Sequence, residues 1–160
     1  MCGICGWISL EGDVCDPSIL SRMIAVLKHR GPDKTGERQA ENYAIGHTRL
    51  SILDHEGGSQ PMVDDNGVAI TFNGEIYNYR EIATKLENKG VVFRTRSDTE
   101  VVLKAYREWG DNCVRHLEGM FAFAIMDPTQ KHLYLARDHF GKKPLYYFYQ
   151  DGMFIFGSEI

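Results

Sequence analysis

Met1-Cys2-Gly3-Ile4-Cys5-Gly6-Trp7 opens the chain, and the remaining sequence is read outward from it. Ile4 and Trp7 mark the start of a buried strand. Cys2 directly follows the initiator methionine, and its small side chain permits removal of Met1. Removal would leave one residue carrying both a thiol and a free α-amine. The thiolate is the form that attacks carbonyls, and an adjacent base is a standard way to generate it. A free cysteine titrates near ~8.5 and an α-amine near ~7.7–8.0, so an amine held beside the sulfur can take its proton near neutrality. Gly3 and Gly6 would let the backbone run close to a substrate. Cys2 and Cys5 also spell C-x-x-C, the pattern of half a zinc site or a redox pair. Neither is well supported, because Cys15 and Cys113 form no second pair, no His-x₃₋₅-His follows, and a redox pair normally opens a helix.

The composition bounds the function. A chain of 160 residues fits one domain that buries roughly 70% of its unfolded surface without disulfides or metal. Lys plus Arg number 18 against 22 Asp plus Glu, giving a net charge of −4 with both signs interspersed. Nucleic acid and anionic membrane are therefore poor partners, and a small polar substrate suits the chain better. No apolar run approaches ~18 residues and no signal peptide opens the sequence, so a cytoplasmic location is expected. The four scattered cysteines read as reduced thiols.

Along the chain, Asp16-Pro17 announces a helix in which Ile19, Leu20, Met23, Ile24 and Leu27 share one face. It stops near His29-Arg30-Gly31-Pro32-Asp33, which is followed by a polar stretch through Asn42. Two short strands are expected at Tyr43–His47 and Arg49–Leu53, then a turn at Asp65-Asn66-Gly67 and a strand Val68–Phe72 running into Asn73-Gly74-Glu75. Asn78 with Glu81 and Ser97 with Glu100 read as capping boxes, with Gly90 and Gly110 as helix stops. A strand is expected at Val91–Phe93. From Met120 onward four strands follow, Met120–Met126, His132–Ala136, Leu145–Tyr149 and Met153–Phe156. Hairpin-linked strands with helices grouped between them indicate an antiparallel α+β domain. The sequence ends on a strand without a polar tail, which suggests an N-terminal domain of something longer.

The chemistry-bearing residues gather where strands end. A thiolate attacking a carboxamide creates an oxyanion that needs preorganised donors, each worth roughly 3–4 kcal/mol in the transition state. Asn73 and Gly74 offer a side-chain amide and an unobstructed backbone N–H. Arg49 can grip an amino acid's α-carboxylate in a two-pronged pair, and Glu75 and Asp98 can take its α-ammonium. Taken singly, each has a plainer reading: a surface arginine, a turn, a helix cap. No metal site is expected. A Cys-His-carboxylate triad would require an internal cysteine on a strand-to-helix elbow, and no internal cysteine sits in one.

The stretches CGICGW, HRGPD from His29, GHTRLSILD from Gly46, FNGEIYNYRE from Phe72, RSDTEVVL from Arg96, LEGMFAFAIMD from Leu117, LARDHFGKKPLYY from Leu135 and the final FGSEI cover the chain in order. Together they resemble the class II, N-terminal-nucleophile glutamine amidotransferases, and most closely the glutaminase domain of glutamine-hydrolysing asparagine synthetases. The resemblance implies a four-layer αββα sandwich of two antiparallel sheets, an Ntn-hydrolase fold, spanning residues 1–160. It implies Cys2 as nucleophile with its own α-amine as base, Asn73 and Gly74 as oxyanion hole, and Arg49, the backbone of Leu50, Ser51, Ile52 and Leu53, Glu75 and Asp98 as the glutamine pocket. It places the loop around Arg30 toward an ammonia exit. The implied reaction is hydrolysis of L-glutamine to glutamate and ammonia through a γ-glutamyl thioester, a hydrolase half-reaction feeding a ligase in asparagine biosynthesis. No cofactor is implied for this domain; ATP and Mg²⁺ would belong to a C-terminal synthetase domain that amidates aspartate. Pairing into a homodimer is compatible with the sequence. Cys5 stands where such proteins commonly carry another small or apolar residue. The rivals are an amidotransferase serving another acceptor and a catalytically silent glutamine-binding or assembly module. Among the six histidines, His29, His47 and His55 lie near the site elements in sequence, and His47 is the next candidate base should the α-amine fail.

Overall fold

The strand opened by the N-terminal motif, β1 (Gly3–Ser9), is buried along its whole length, which explains why its sequence lacks polar alternation. The structure, a computed structural model, describes residues 1–12, 16, 18–50 and 58–160. After β1 come α1 (Ser18–Leu27), β2 (Lys34–Gln39), β3 (Tyr43–Arg49), β4 (Met62–Val63), β5 (Ala69–Ile76), α2 (Tyr79–Glu87) and α3 (Asp98–Trp109). A 3₁₀ stretch, Gly110–His116, leads into β6 (Gly119–Asp127), β7 (His132–Arg137), β8 (Tyr146–Gln150) and β9 (Met153–Gly157). The strands form two sheets, a five-stranded one in the order β2-β3-β1-β9-β8 and a four-stranded one in the order β4-β5-β6-β7. All named strand pairs are antiparallel.

Three apolar layers make this an αββα sandwich, as expected. Leu20, Ile24 and Leu27 of α1 pack on Cys5, Trp7 and Ala44 of the larger sheet. Ile82, Leu86 and Val102 of the other two helices pack on Phe72, Phe121 and Phe123 of the smaller one. Between the sheets lie Ile45, Ala69, Ala124 and Phe156, with Ile8, Tyr43 and Met126 beside them. Burying side chains of this size contributes roughly 1.5–3 kcal/mol each. Side chains alternate across a strand. Ile8 and Ile45 therefore put Cys2, His47 and Arg49 on the inter-sheet side, and Ala69 does the same for Asn73 and Glu75. One end of the inter-sheet layer thus collects the chemistry.

Several local expectations change. The polar stretch after Asp33 holds β2, an edge strand whose KTGERQ sequence faces solvent and so shows no apolar period. Tyr43 to Arg49 is one strand rather than part of two; Ser51, Ile52 and Leu53 lie outside the described residues. Val91 to Phe93 is not a strand: Val91 and Phe93 pack on the helix-side core without a sheet partner. Asn78 does not cap α2 with its side chain. It bridges instead to the His116 carbonyl and the Glu118 N–H. Ser97 does cap α3, accepting from the Glu100 N–H at 3.3 Å. Glu100 does not complete a capping box; its buried carboxylate takes the N–H groups of Arg94 and Thr95. Gly3 and Gly6 serve packing rather than substrate access, since a Cβ there would lie 2.6 Å from Thr48 Oγ1 and 2.6 Å from the Phe156 ring, respectively. Among the described residues no helix is long and apolar enough to cross a membrane.

Candidate active site

Gly3 pairs with Thr48 in the β1–β3 ladder, which brings Cys2 beside the end of β3. Its sulfur sits on the Leu50 peptide: the Leu50 N–H donates to Sγ at 3.4 Å, and Sγ lies 3.7 Å from the Leu50 carbonyl. The Cys2 carbonyl accepts from Arg30 Nε at 3.1 Å, while Arg30 Nη1 pairs with Glu159 at 2.7 Å. Ser158 anchors β1 from the other side, its hydroxyl accepting the Ile4 N–H at 2.9 Å. Arg30, expected near an exit, therefore braces the main chain of Cys2 directly.

Cys2 opens onto a cavity of about 430 Å³ that Arg49, Leu50, Asn73, Gly74, Glu75 and Asp98 also line. That is within the size range of small-ligand sites. The cavity is bipolar. Glu75 and Asp98 supply negative charge, and Arg49, Arg96 and Lys143 supply positive charge. Arg49 is buried, consistent with a guanidinium held in one geometry. The Asp98 carboxylate accepts the Ile76 N–H at 3.1 Å. Its pKa is raised, first by burial and then by the Glu75 charge, against the lowering effect of the Ile76 and Thr99 N–H groups.

The open donors of the cavity follow from strand register. Phe121 donates its N–H to the Asp138 carboxylate and accepts the Asp138 N–H, so its main chain faces away from β5. Gly74 is the residue opposite Phe121, which makes this a pair without mutual hydrogen bonds. The N–H groups of Phe72, Gly74 and Ile76 therefore point to the open edge of β5. Gln60 Oε1 takes the first and Asp98 takes the last. The Gly74 N–H, between them, is left facing the cavity. Asn73 Nδ2 is buried without a hydrogen-bond partner among the described residues. Buried donors are seldom left unsatisfied, so Asn73 Nδ2, beside the Gly74 N–H on one cavity with a thiol, marks a place for a ligand acceptor atom.

The other candidate chemistries separate from this site. Cys2 and Cys5 lie on opposite faces of β1, as odd spacing on a strand requires, so they form neither a redox pair nor a metal half-site. Burial pushes the Cys5 thiol up to about 12. His47 is pushed down to about 4, first by burial, with the Phe72 carbonyl opposing and the Arg49 charge assisting. It is neutral, contacts the Phe72 carbonyl at 3.2 Å between the sheets, and does not line the cavity. His29 bonds Val26 and Glu159 at the surface, and His55 lies outside the described residues. A separate cavity of about 590 Å³ lies between α1 and β8–β9 and is walled mainly by apolar groups such as Ile19, Met23 and Phe148. It holds no donor set suited to amide chemistry. No cluster of metal-ligating side chains occurs among the described residues.

The sequence readings of Cys2, Arg49, Leu50, Asn73, Gly74, Glu75 and Asp98 thus converge on one cavity. Gln60 and Lys143 were not singled out as site groups, although Lys143 lies within the LARDHFGKKPLYY stretch; only the tertiary fold brings them to the cavity.

A family model described as a glutamine amidotransferase domain matches residues 1–160. The chain is 41% identical to asparagine synthetase [glutamine-hydrolyzing] 3 of Bacillus subtilis (strain 168), covering 100% of this chain and 27% of that protein. It is 43% identical to asparagine synthetase [glutamine-hydrolyzing] 1 of the same organism, covering 99% of this chain and 26% of that one. With asparagine synthetase [glutamine-hydrolyzing] 2 of Arabidopsis thaliana the identity is 39%, over 100% and 28% respectively. The chain therefore spans about a quarter of the length of these relatives. Among solved structures, glutamine phosphoribosylpyrophosphate amidotransferase from B. subtilis superposes with a TM-score of 0.80 at 24% identity, covering 98% of this chain and 41% of that one. At that identity the likeness concerns the fold.

Proposed function

The chain belongs to the glutamine amidotransferase domain family, and from that premise we propose that its inter-sheet cavity hydrolyses L-glutamine to glutamate and ammonia through a thioester on Cys2. The observation that carries the reading is the pair of open donors, Asn73 Nδ2 and the Gly74 N–H, on the same cavity as the Cys2 thiol. Arg49 binds the substrate α-carboxylate, and Glu75 and Asp98 bind its α-ammonium. The substrate's two charges thus match the cavity's two poles and leave the side-chain carboxamide directed at Cys2.

With Met1 removed, the α-amine of Cys2 takes the thiol proton as Sγ attacks the carboxamide carbon. The C=O electron pair moves to oxygen, where Asn73 and Gly74 receive the charge. On collapse the C–N bond breaks, and the α-ammonium returns its proton to the departing nitrogen, giving ammonia. Water then attacks the thioester, its proton passing through the same amine to the leaving sulfur. Glutamine and water become glutamate and ammonia, and the enzyme is restored. No metal or cofactor takes part in these steps.

The names of the relatives support a further reading, that the ammonia serves an asparagine synthetase reaction in a following domain, where ATP and Mg²⁺ would activate aspartate. The test is glutamate and ammonia release from glutamine by Met1-cleaved protein, with a mass increment on Cys2 in acid-quenched samples. Glutamine binding without ammonia release would instead make the domain a binding module.

A further inference from the structure

Lys143 has no part in the chemistry described so far. It comes from the loop between β7 and β8, is only 9% exposed, and lines the same cavity as Cys2, Asn73 and Gly74. Its ammonium lies 3.6 Å from Met1 Sδ, and that is its only polar side-chain contact among the described residues. Lysines are almost never buried to this degree unless paired.

The loop is built to hold it there. The Asp138 carboxylate accepts the N–H groups of Phe121, Phe140, Lys142 and Lys143 at 3.2, 3.1, 2.9 and 3.0 Å. Arg137 closes the loop from the other side, donating to the carbonyls of Lys143 and Gly141 at 2.8 Å each. Two charged side chains therefore fix the backbone of a residue whose own charge has no carboxylate within ion-pair distance among the described residues. The other charged groups lining this cavity are Arg49 on β3, Glu75 on β5, and Arg96 and Asp98 at the start of α3, with Arg30 behind the Cys2 carbonyl.

We propose that Lys143 is an electrostatic positioning residue: once Met1 is gone, its ammonium stands beside the α-amine of Cys2 and opposes protonation of that amine, keeping it a free base at neutral pH. The inference rests on the proposed function, because only an N-terminal amine used as base needs this help. Like charges that line one half-buried cavity repel. The repulsion does not hinder the reaction itself, since the proton reaches the amine only as negative charge develops on sulfur and then on the substrate oxygen. Net charge beside Lys143 is then unchanged.

The experiment uses Met1-cleaved wild type, Lys143→Met and Lys143→Arg, each verified by intact mass. Two pH profiles are recorded: kcat/KM for glutamine, and the rate of Cys2 alkylation by iodoacetamide without glutamine. In Lys143→Met the acid limb of both profiles should move up by about 0.5–1 pH unit, the size expected of one charge several ångströms away across a solvent-filled cavity. Lys143→Arg should restore most of it. A Lys143→Met variant slower at every pH with an unmoved limb would show a packing role and overturn the proposal, as would a limb that arginine fails to restore. If the methionine variant does not fold, Lys143→Gln carries the same comparison. Wild type that releases no ammonia would remove the proposed function, while the alkylation profile would still report whether Lys143 acts on the chain start.

Discussion

The Asp98 carboxylate caps the Ile76 N–H across 3.1 Å, so one side chain both ends the open edge of β5 and supplies negative charge to the cavity. Its two duties separate by substitution. Asp98→Asn keeps an acceptor for Ile76 and should raise KM for glutamine with little change in Tm. Asp98→Ala should raise KM equally and also destabilise by about 1–3 kcal/mol, the cost of orphaning a hydrogen bond to a charged group. Equal Tm values in the two variants would show that the Ile76 contact carries no weight.

The pH behaviour of Asp98 has opposite signs for binding and for folding. Its raised pKa, due first to burial and then to Glu75, means that its charge is lost at a higher pH than in a solvated carboxyl. Glutamine affinity should therefore weaken as pH falls through that raised value. The fold responds the other way: the native state holds this proton more tightly than the unfolded chain, so Asp98 costs stability as pH rises from the ordinary carboxylate value to the raised one. Parallel profiles of KM and of unfolding free energy should diverge in the acid range. Asp98→Asn should flatten both contributions.

Asn73 and Gly74 differ in what their loss would do. Asn73 Nδ2 has no partner to orphan among the described residues, so Asn73→Ala should lower kcat by about 10²–10³ with a small change in KM and in stability. A Cβ on Gly74 would lie 2.4 Å from the Met120 carbonyl oxygen and 2.7 Å from Phe121 Cα, both backbone atoms. Gly74→Ala should thus strain the β5–β6 ladder by about 1–3 kcal/mol, as overpacking does. Thermal unfolding and steady-state kinetics on the pair distinguish these outcomes.

Thiol labelling should be selective. Burial pushes Cys5 and Cys113 up to about 12 each, with Asp111 adding to the effect at Cys113. Cys2 is half-buried on the cavity. Of these three thiols, iodoacetamide near neutral pH should modify Cys2 alone in the native fold, and labelling should abolish glutamate production. Peptide mapping that found Cys5 or Cys113 modified at a similar rate would contradict the burial. Cys2→Ala should be inactive with a loss of less than about 1 kcal/mol in stability, because little buried apolar area is removed.

Retaining Met1 should be as damaging as losing the thiol. A matched pair of preparations, Met1 cleaved and Met1 retained, should differ by at least the ~10²–10⁴-fold typical of general-base loss. Equal turnover would show that the α-amine is not the base. His47 would not inherit the role: it lies between the sheets, bonded to the Phe72 carbonyl.

Parts of this were legible in the sequence because local chemistry and tertiary demand agree there. The apolar face of α1, the Ser97 cap and the long run of β6 each carry their period or cap in a few residues. β2 is hidden because an edge strand exposed on one face and only half-buried on the other, at Gly36 and Arg38, needs no apolar pattern. Val91 to Phe93 read as a strand because the same apolar residues that would fill a sheet can fill the flank of a helical core. Asn73-Gly74 looks like a turn in isolation, and only its register against Phe121 makes the glycine N–H a donor to the cavity. Lys143 was the least legible, being far in sequence from Cys2 and brought to the same cavity only by the fold.

The two edges of the larger sheet are treated differently. β2 ends that sheet with Lys34, Glu37 and Arg38, charges that discourage a stray strand from joining it. β8 ends it with Tyr146, Tyr147, Phe148 and Tyr149, all exposed, without a charge or a proline. Handled as a separate domain, this chain should associate through that uncovered aromatic edge as its concentration rises, and a lysine at Tyr147 or Phe148 should keep it dispersed.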